Sequence, residues 1–131
     1  MRREERGDQG QTALSVDGDV LEIQLLGYMT GTALDTCISQ VRALGSRTDL
    51  RFAYFDATPM TGFSPDVARP GNTLLDVLRS QLGIRFCLAC SDSTAVRMMG
   101  QTIAFAARMP LRFVSSRTEA HRIFEQRRAG S

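Results

Sequence analysis

The feature that most limits the fold is a regular exchange of short apolar runs with helix-period runs between residues 13 and 124. Residues 13–16 alternate like a strand, and Asp17-Gly18-Asp19 is a hairpin turn signal. Residues 20–25 alternate again, with Leu21, Ile23 and Leu25 on one face and Glu22 and Gln24 on the other. Gly27 breaks that strand, and Thr30 caps a helix that buries Leu34, Cys37, Ile38, Val41 and Leu44, with Gly45 as its stop. Residues 51–55 form a mostly apolar strand, which suits a position covered on both faces. A loop over residues 57–70 follows, and Pro70 and Gly71 separate a short turn after Ser64 from a helix over 72–81.

The same exchange continues to the carboxyl end. Residues 84–89 are a strand, and Ser91-Asp92-Ser93 offers caps for a helix to about Arg108. Residues 111–114 are a strand, and Ser116-Arg117-Thr118-Glu119 is a capping box that opens a last helix burying Ala120, Ile123 and Phe124. The order β-β-α-β-α-β-α-β-α demands parallel crossovers after one antiparallel hairpin, hence an α/β sheet with about four helices. One domain fits 131 residues, over 12–126, between a disordered arm at 1–11 and a frayed tail at 127–131.

Composition excludes several functions. The net charge of +2 is too mild for a nucleic-acid binder, and no segment holds the roughly 20 apolar residues that span a bilayer. An odd set of three cysteines and a charged amino terminus point to a reduced, cytoplasmic protein. Cys87 and Cys90 have dithiol spacing, but a strand sends them to opposite faces, and Cys37 and His121 are too distant in sequence to complete a zinc signature. His121 has no nucleophile near it in sequence, and residues 91–93 lack a glycine-rich phosphate motif. No catalytic set, metal or cofactor is expected.

The third helix has two apolar stripes. Val96, Met99, Gly100, Ile103 and Ala107 form the inner one; Ala95, Met98, Thr102, Phe105 and Met109 form the other. A helix apolar around most of its girth buries more than one face. Met98, Thr102, Phe105 and Met109 are therefore candidates for an oligomer interface, a homodimer first.

Three places resemble the STAS family, the anti-sigma-factor antagonist (SpoIIAA-like) fold. Leu26-Gly27-Tyr28-Met29-Thr30 is similar to the family's apolar strand followed by glycine, the strand ending at Asp56 is similar to its central run ending in aspartate, and Thr118-Glu119-Ala120 is similar to the pair that starts its last helix. Residues 91–100 also resemble small STAS-like proteins of predatory and social soil bacteria. The resemblance implies a mostly parallel central sheet, no enzymatic activity, and regulation by binding a protein, a kinase or an anti-sigma-type regulator. It also implies a phosphorylated serine in the loop after the central strand. Here Ser64 stands in the family's aspartate slot and Pro65 in the phosphoacceptor slot, so Ser64, with Thr61 second, is the candidate phosphoacceptor. Asp56, Met60, Phe63 and Asp66 are the candidate partner contacts. Three bland readings stand beside these: Ser64 before proline as an ordinary helix N-cap, Asp56 satisfying loop amides, and Met60 and Phe63 folding back over the core. The alternative function is binding of a nucleotide or lipid in a crevice beside Asp56, at the carboxyl end of the sheet.

Overall fold

The computed structural model describes residues 10–47 and 49–130. Strand β1 (Gln11–Asp17) and β2 (Val20–Met29) form the hairpin, helix α1 (Gly31–Arg42) follows, and β3 (Phe52–Asp56) returns through the sheet. Strand β4 (Met60–Phe63) and a 3-10 turn (Pro65–Val67) lead into α2 (Ala68–Leu82). Then come β5 (Cys87–Cys90), α3 (Thr94–Ala107), β6 (Leu111–Val114) and α4 (Arg117–Ala129). The sheet runs β1-β2-β3-β5-β6, antiparallel at β1–β2 and parallel elsewhere, with β4 paired in parallel to the far end of β2. This is the expected α/β order with one strand added.

The two faces of the sheet are covered unequally. Leu21, Ile23, Ala53, Phe55, Cys87 and Ala89 face a large core shared with α1, α2 and α3. Val20, Phe52, Tyr54, Leu88 and Cys90 face a smaller core closed by Ala120, Ile123 and Phe124 of α4. The strict alternation along β3 is what a doubly covered strand requires. Phe124 is fully buried, stacked on Phe52 at 4.7 Å between ring centroids. Removal of one such side chain from water is worth about 1.5–3 kcal/mol.

Helix ends follow the sequence signals. Thr30, Ser93 and Ser116 each accept a bond from the amide three residues on, at 3.2, 3.2 and 3.1 Å. The last turn of α2 serves its neighbours. Gln81 donates to the carbonyls of Val41 and Gly45 at the end of α1, at 3.2 and 2.8 Å. Arg79 donates to those of Ala107 and Arg108 at the end of α3, at 2.9 and 3.3 Å.

Several boundaries differ from the expectation. Gly27 does not end β2: its φ of 76° creates a bulge, after which Tyr28 and Met29 pair with Gly62 and Phe63. Four residues of the expected loop are thus β4. Pro70 and Gly71 do not interrupt α2 either, since Pro70 falls in its first turn, where its missing N–H costs nothing. The fourth expected strand begins three residues late, at Cys87. Gln11, assigned to the arm, belongs to β1, while the rest of that expectation falls largely outside the described residues. The tail is helical to Ala129, and Arg128 is tied to Asp19 by bonds of 2.9 and 2.5 Å. Met109 is not an interface residue. Arg108 ends α3 in a left-handed conformation, and Met109 turns into the core with 3 % exposure.

Candidate functional site

Residues 56–66 sit at the carboxyl end of the sheet, and the structure divides them into two sites. The first lies at the start of α1. Ser64 leaves β4 with its amide bonded to the Met29 carbonyl at 2.9 Å, which places its side chain beside α1. The Ser64 hydroxyl donates to the Asp66 carboxylate. The same oxygen of Asp66 accepts the Gly31 N–H at 3.0 Å, so Asp66 satisfies a first-turn amide of a helix that is not its own. Gly31 leaves room for this approach: a Cβ at that position would lie 2.9 Å from the carboxylate, which would have to shift. The Ser64 hydroxyl first, and the Gly31 amide second, hold the Asp66 carboxyl below its ordinary range. A shallow groove of about 490 Å³ runs here between the starts of α1 and α2, past Thr32, Asp35, Pro65 and Arg69.

The second site lies on the face that α4 covers only in part. Asp56 accepts from the Thr58 amide at 3.1 Å and the Thr58 hydroxyl at 2.6 Å, closing the turn after β3. Beside it Glu22, Gln24, Tyr54, Asp56 and Arg117 line a crevice of about 290 Å³. Burial raises the Tyr54 phenol above its ordinary range, reinforced by the adjacent Cys90 and Asp56. Burial is also the largest influence on Glu22 and works to raise its carboxyl, but bonds from Arg117 and His121 outweigh it and leave the group lowered. Arg117 reaches Glu22 at 2.6 Å and Asp17 at 3.1 Å, and His121 reaches Glu22 at 2.9 Å. Ligand atoms of Asp17, Glu22 and His121 lie within 4.8 Å of one another, yet the guanidinium of Arg117 already occupies the carboxylates as their cation.

The remaining candidates fall apart from these. Thr61 is exposed on β4, while Met60 and Phe63 lie against the main core and are half-buried. Cys87 and Cys90 belong to opposite cores, and burial pushes the Cys87 thiol up to about 12 and raises that of Cys90. Neither thiol has the lowered pKa of a reactive dithiol. On α3, Met98 is 65 % and Phe105 87 % exposed, and the Thr102 hydroxyl bonds back to the Met98 carbonyl at 2.9 Å. Inside α3 an apolar cavity of about 110 Å³ is walled by Leu25, Phe55, Leu74, Val96, Ile103 and Phe113. Sequence reading missed Gly31, Tyr54, Arg117 and the Glu22–His121 contact. The crevice itself was expected beside Asp56 at the carboxyl end of the sheet, and the placement of Glu22 and Gln24 on the face opposite Leu21 pointed toward two more of its lining residues.

No family model matches the chain, and no curated protein matches it. Solved structures do. An uncharacterized protein from the DUF3478 family with a SpoIIAA-like fold, from Shewanella loihica PV-4, superposes with a TM-score of 0.62 at 13 % identity, over 85 % of this chain and 91 % of that one. An anti-sigma factor antagonist from Mycobacterium paratuberculosis superposes with a TM-score of 0.59 at 11 % identity, over 80 % of this chain and 86 % of that one. Among the described residues no helix is long and apolar enough to cross a membrane. With an antiparallel opening hairpin, a parallel remainder and four helices among its described residues, the chain has the SpoIIAA-like fold of STAS domains.

Proposed function

We propose that this chain is a non-enzymatic, cytoplasmic protein-interaction module of the STAS type, whose partner reads the groove between the starts of α1 and α2, and that a phosphate on Ser64 switches that surface. The observation that carries the reading is the Ser64–Asp66–Gly31 link. Phosphorylation removes the hydroxyl proton that Asp66 accepts and sets about two negative charges beside a carboxylate. The two anions repel, Asp66 leaves the Gly31 amide, and the α1 amino end is offered to the phosphate instead. One covalent change thereby alters both the charge and the shape of the groove. The partner class is a serine kinase or an anti-sigma-type regulator, as the structural likeness to an anti-sigma factor antagonist supports. The outer face of α3, through Met98, Thr102 and Phe105, is the second contact of this reading, a homodimer.

The test is capture of partner protein on immobilised wild-type, Ser64→Ala and Ser64→Asp chains. The same protein should be retained by wild type and Ser64→Ala and lost by about tenfold or more on Ser64→Asp, the scale of one badly placed interface charge. Equal retention by all three removes Ser64 as the switch.

The crevice beside Asp56 favours a second reading, a small-ligand site. Its mixed lining of two carboxylates, a phenol and a guanidinium is the kind of convergent polar set that orients a ligand. A rise in melting temperature with a nucleotide or acyl lipid, lost in Asp56→Ala, would favour it over the first.

A further inference from the structure

The face of the sheet beneath α1, α2 and α3 holds a space that its own side chains leave open. Phe55, Ala89 and Phe113 stand in register on β3, β5 and β6 and point to that face. The single methyl of Ala89 therefore makes a notch between two phenyl rings. Above the notch passes α3. Gly100 lets Phe113 approach that helix, and Gly71 of α2 lets Ile103 approach: a Cβ would lie 2.9 Å from the phenyl ring at the first and 2.7 Å from the Ile103 side chain at the second. Small residues below and above thus frame the apolar cavity of about 110 Å³. Close-packed interiors hold few voids larger than a water molecule.

The exposure of α3 bears on what such a space takes. Val96, Met99, Gly100, Ile103 and Ala107 make its inner stripe, yet none of the five is buried; within α3 only Ala104 is. The helix is held at its carboxyl end, where Arg79 meets the carbonyls of Ala107 and Arg108, and at Gln101, which donates to the Leu111 carbonyl at 3.3 Å. Its first turn sets Val96 on the cavity wall, half-exposed, as Phe113 is on the sheet side. The stripe therefore keeps a contact with water that a hydrocarbon in the cavity would remove. No side chain of the lining carries a polar atom, so a charged or hydrogen-bonding group would lose its water there and gain no partner. An apolar cavity of about 150 Å³ stays dry and admits a hydrocarbon of about six carbons. Here the walls run from Leu25 on β2 to Leu111 on β6, three strand spacings or about 14 Å. A small volume between walls so far apart is a slot, and a slot suits an extended chain better than a ring.

We propose that this slot holds the end of an unbranched alkyl chain, about five or six carbons of it, from a soluble amphiphile whose polar head stays outside. The site lies on the other face of the sheet from the crevice beside Asp56 and makes no use of Ser64. Straight-chain primary alcohols, titrated against the full chain and followed by methyl NMR, test it. Affinity should rise about fourfold with each methylene from butan-1-ol to hexan-1-ol and level off beyond, once the slot is full. The largest shifts should fall on the methyls of Leu74, Val96 and Ile103. Cyclohexanol, with the same number of carbons, should bind more weakly than hexan-1-ol. Ala89→Val fills the notch and should weaken hexan-1-ol about tenfold or more, with a melting temperature at or above that of the wild type. Val96→Phe, on the half-exposed wall, gives the same reading should the strand reject valine. Phe105→Arg, on the outer face of α3, should leave binding intact. Absence of saturable hexan-1-ol binding below about 10 mM overturns the proposal. So does binding undiminished in both filling variants, binding lost in Phe105→Arg, or cyclohexanol bound as tightly as hexan-1-ol. Flotation with phosphatidylcholine vesicles by a chain that binds no soluble alcohol overturns it as well.

Discussion

Asp66 is the residue on which the candidate interaction surface turns. It is held ionised by a hydroxyl and an amide, so its folded pKa lies below the value it has in the unfolded chain. The stability it brings is therefore complete above the unfolded value near 3.8 and is lost as pH falls through the lower folded value. Asp66→Asn removes that dependence. Chemical denaturation at pH 7 and in the acid limb should show a smaller acid loss for Asp66→Asn than for wild type; parallel curves would contradict the assigned link. In the sequence, Ser64 is a candidate because it falls in the register of the family's phosphoacceptor loop, and Asp66 because it lies in the same loop. No such register points to Gly31, which reaches Asp66 across 35 positions of chain. A hydrogen bond that long-range leaves no local pattern. His121 shows the same limit, since its contact with Glu22 spans 99 positions.

Among the elements, β2 and β4 make the sharpest case. Most strands and helices announced themselves by periodicity: Leu74, Leu75, Leu78 and Leu82 on α2, or Leu21 and Ile23 on β2, are buried as their spacing requires. β4 did not, because four residues holding Gly62 and following Pro59 have no strand signal of their own. Its existence depends on β2 continuing past Gly27, and that depends on a left-handed residue at the bulge. Gly27→Ala should cost about 1–2 kcal/mol, the penalty of a side chain in that conformation. Amide exchange should show β4 losing protection before β3 does. Equal protection of both would mean that the bulge does not govern the pairing. Met109 illustrates the opposite error. Helical spacing carried it onto the outer stripe of α3, whereas the helix ends at Ala107 and the chain turns inward at a left-handed arginine, which no glycine or asparagine foretold.

At the scale of the molecule, three helices cover one face of the sheet and one covers part of the other, while α3 turns Phe105 and Met98 outward. A phenylalanine 87 % exposed contributes nothing to the monomer's core, so its replacement separates association from folding. Light scattering at micromolar concentration should give twice the 14.5 kDa chain mass for the wild type and the single mass for Phe105→Arg, with little change in melting temperature. A wild type of single mass ends the homodimer proposal.

The paired grip of Arg79 and Gln81 on the ends of α3 and α1 also has a consequence for motion. Fraying ordinarily proceeds from each helix terminus on its own. Here two termini hang from one turn of a third helix. When that turn loosens, both lose their last carbonyl partners together, so slow breathing on this flank should come as one concerted event, felt at the same moment by segments more than sixty residues apart in the chain.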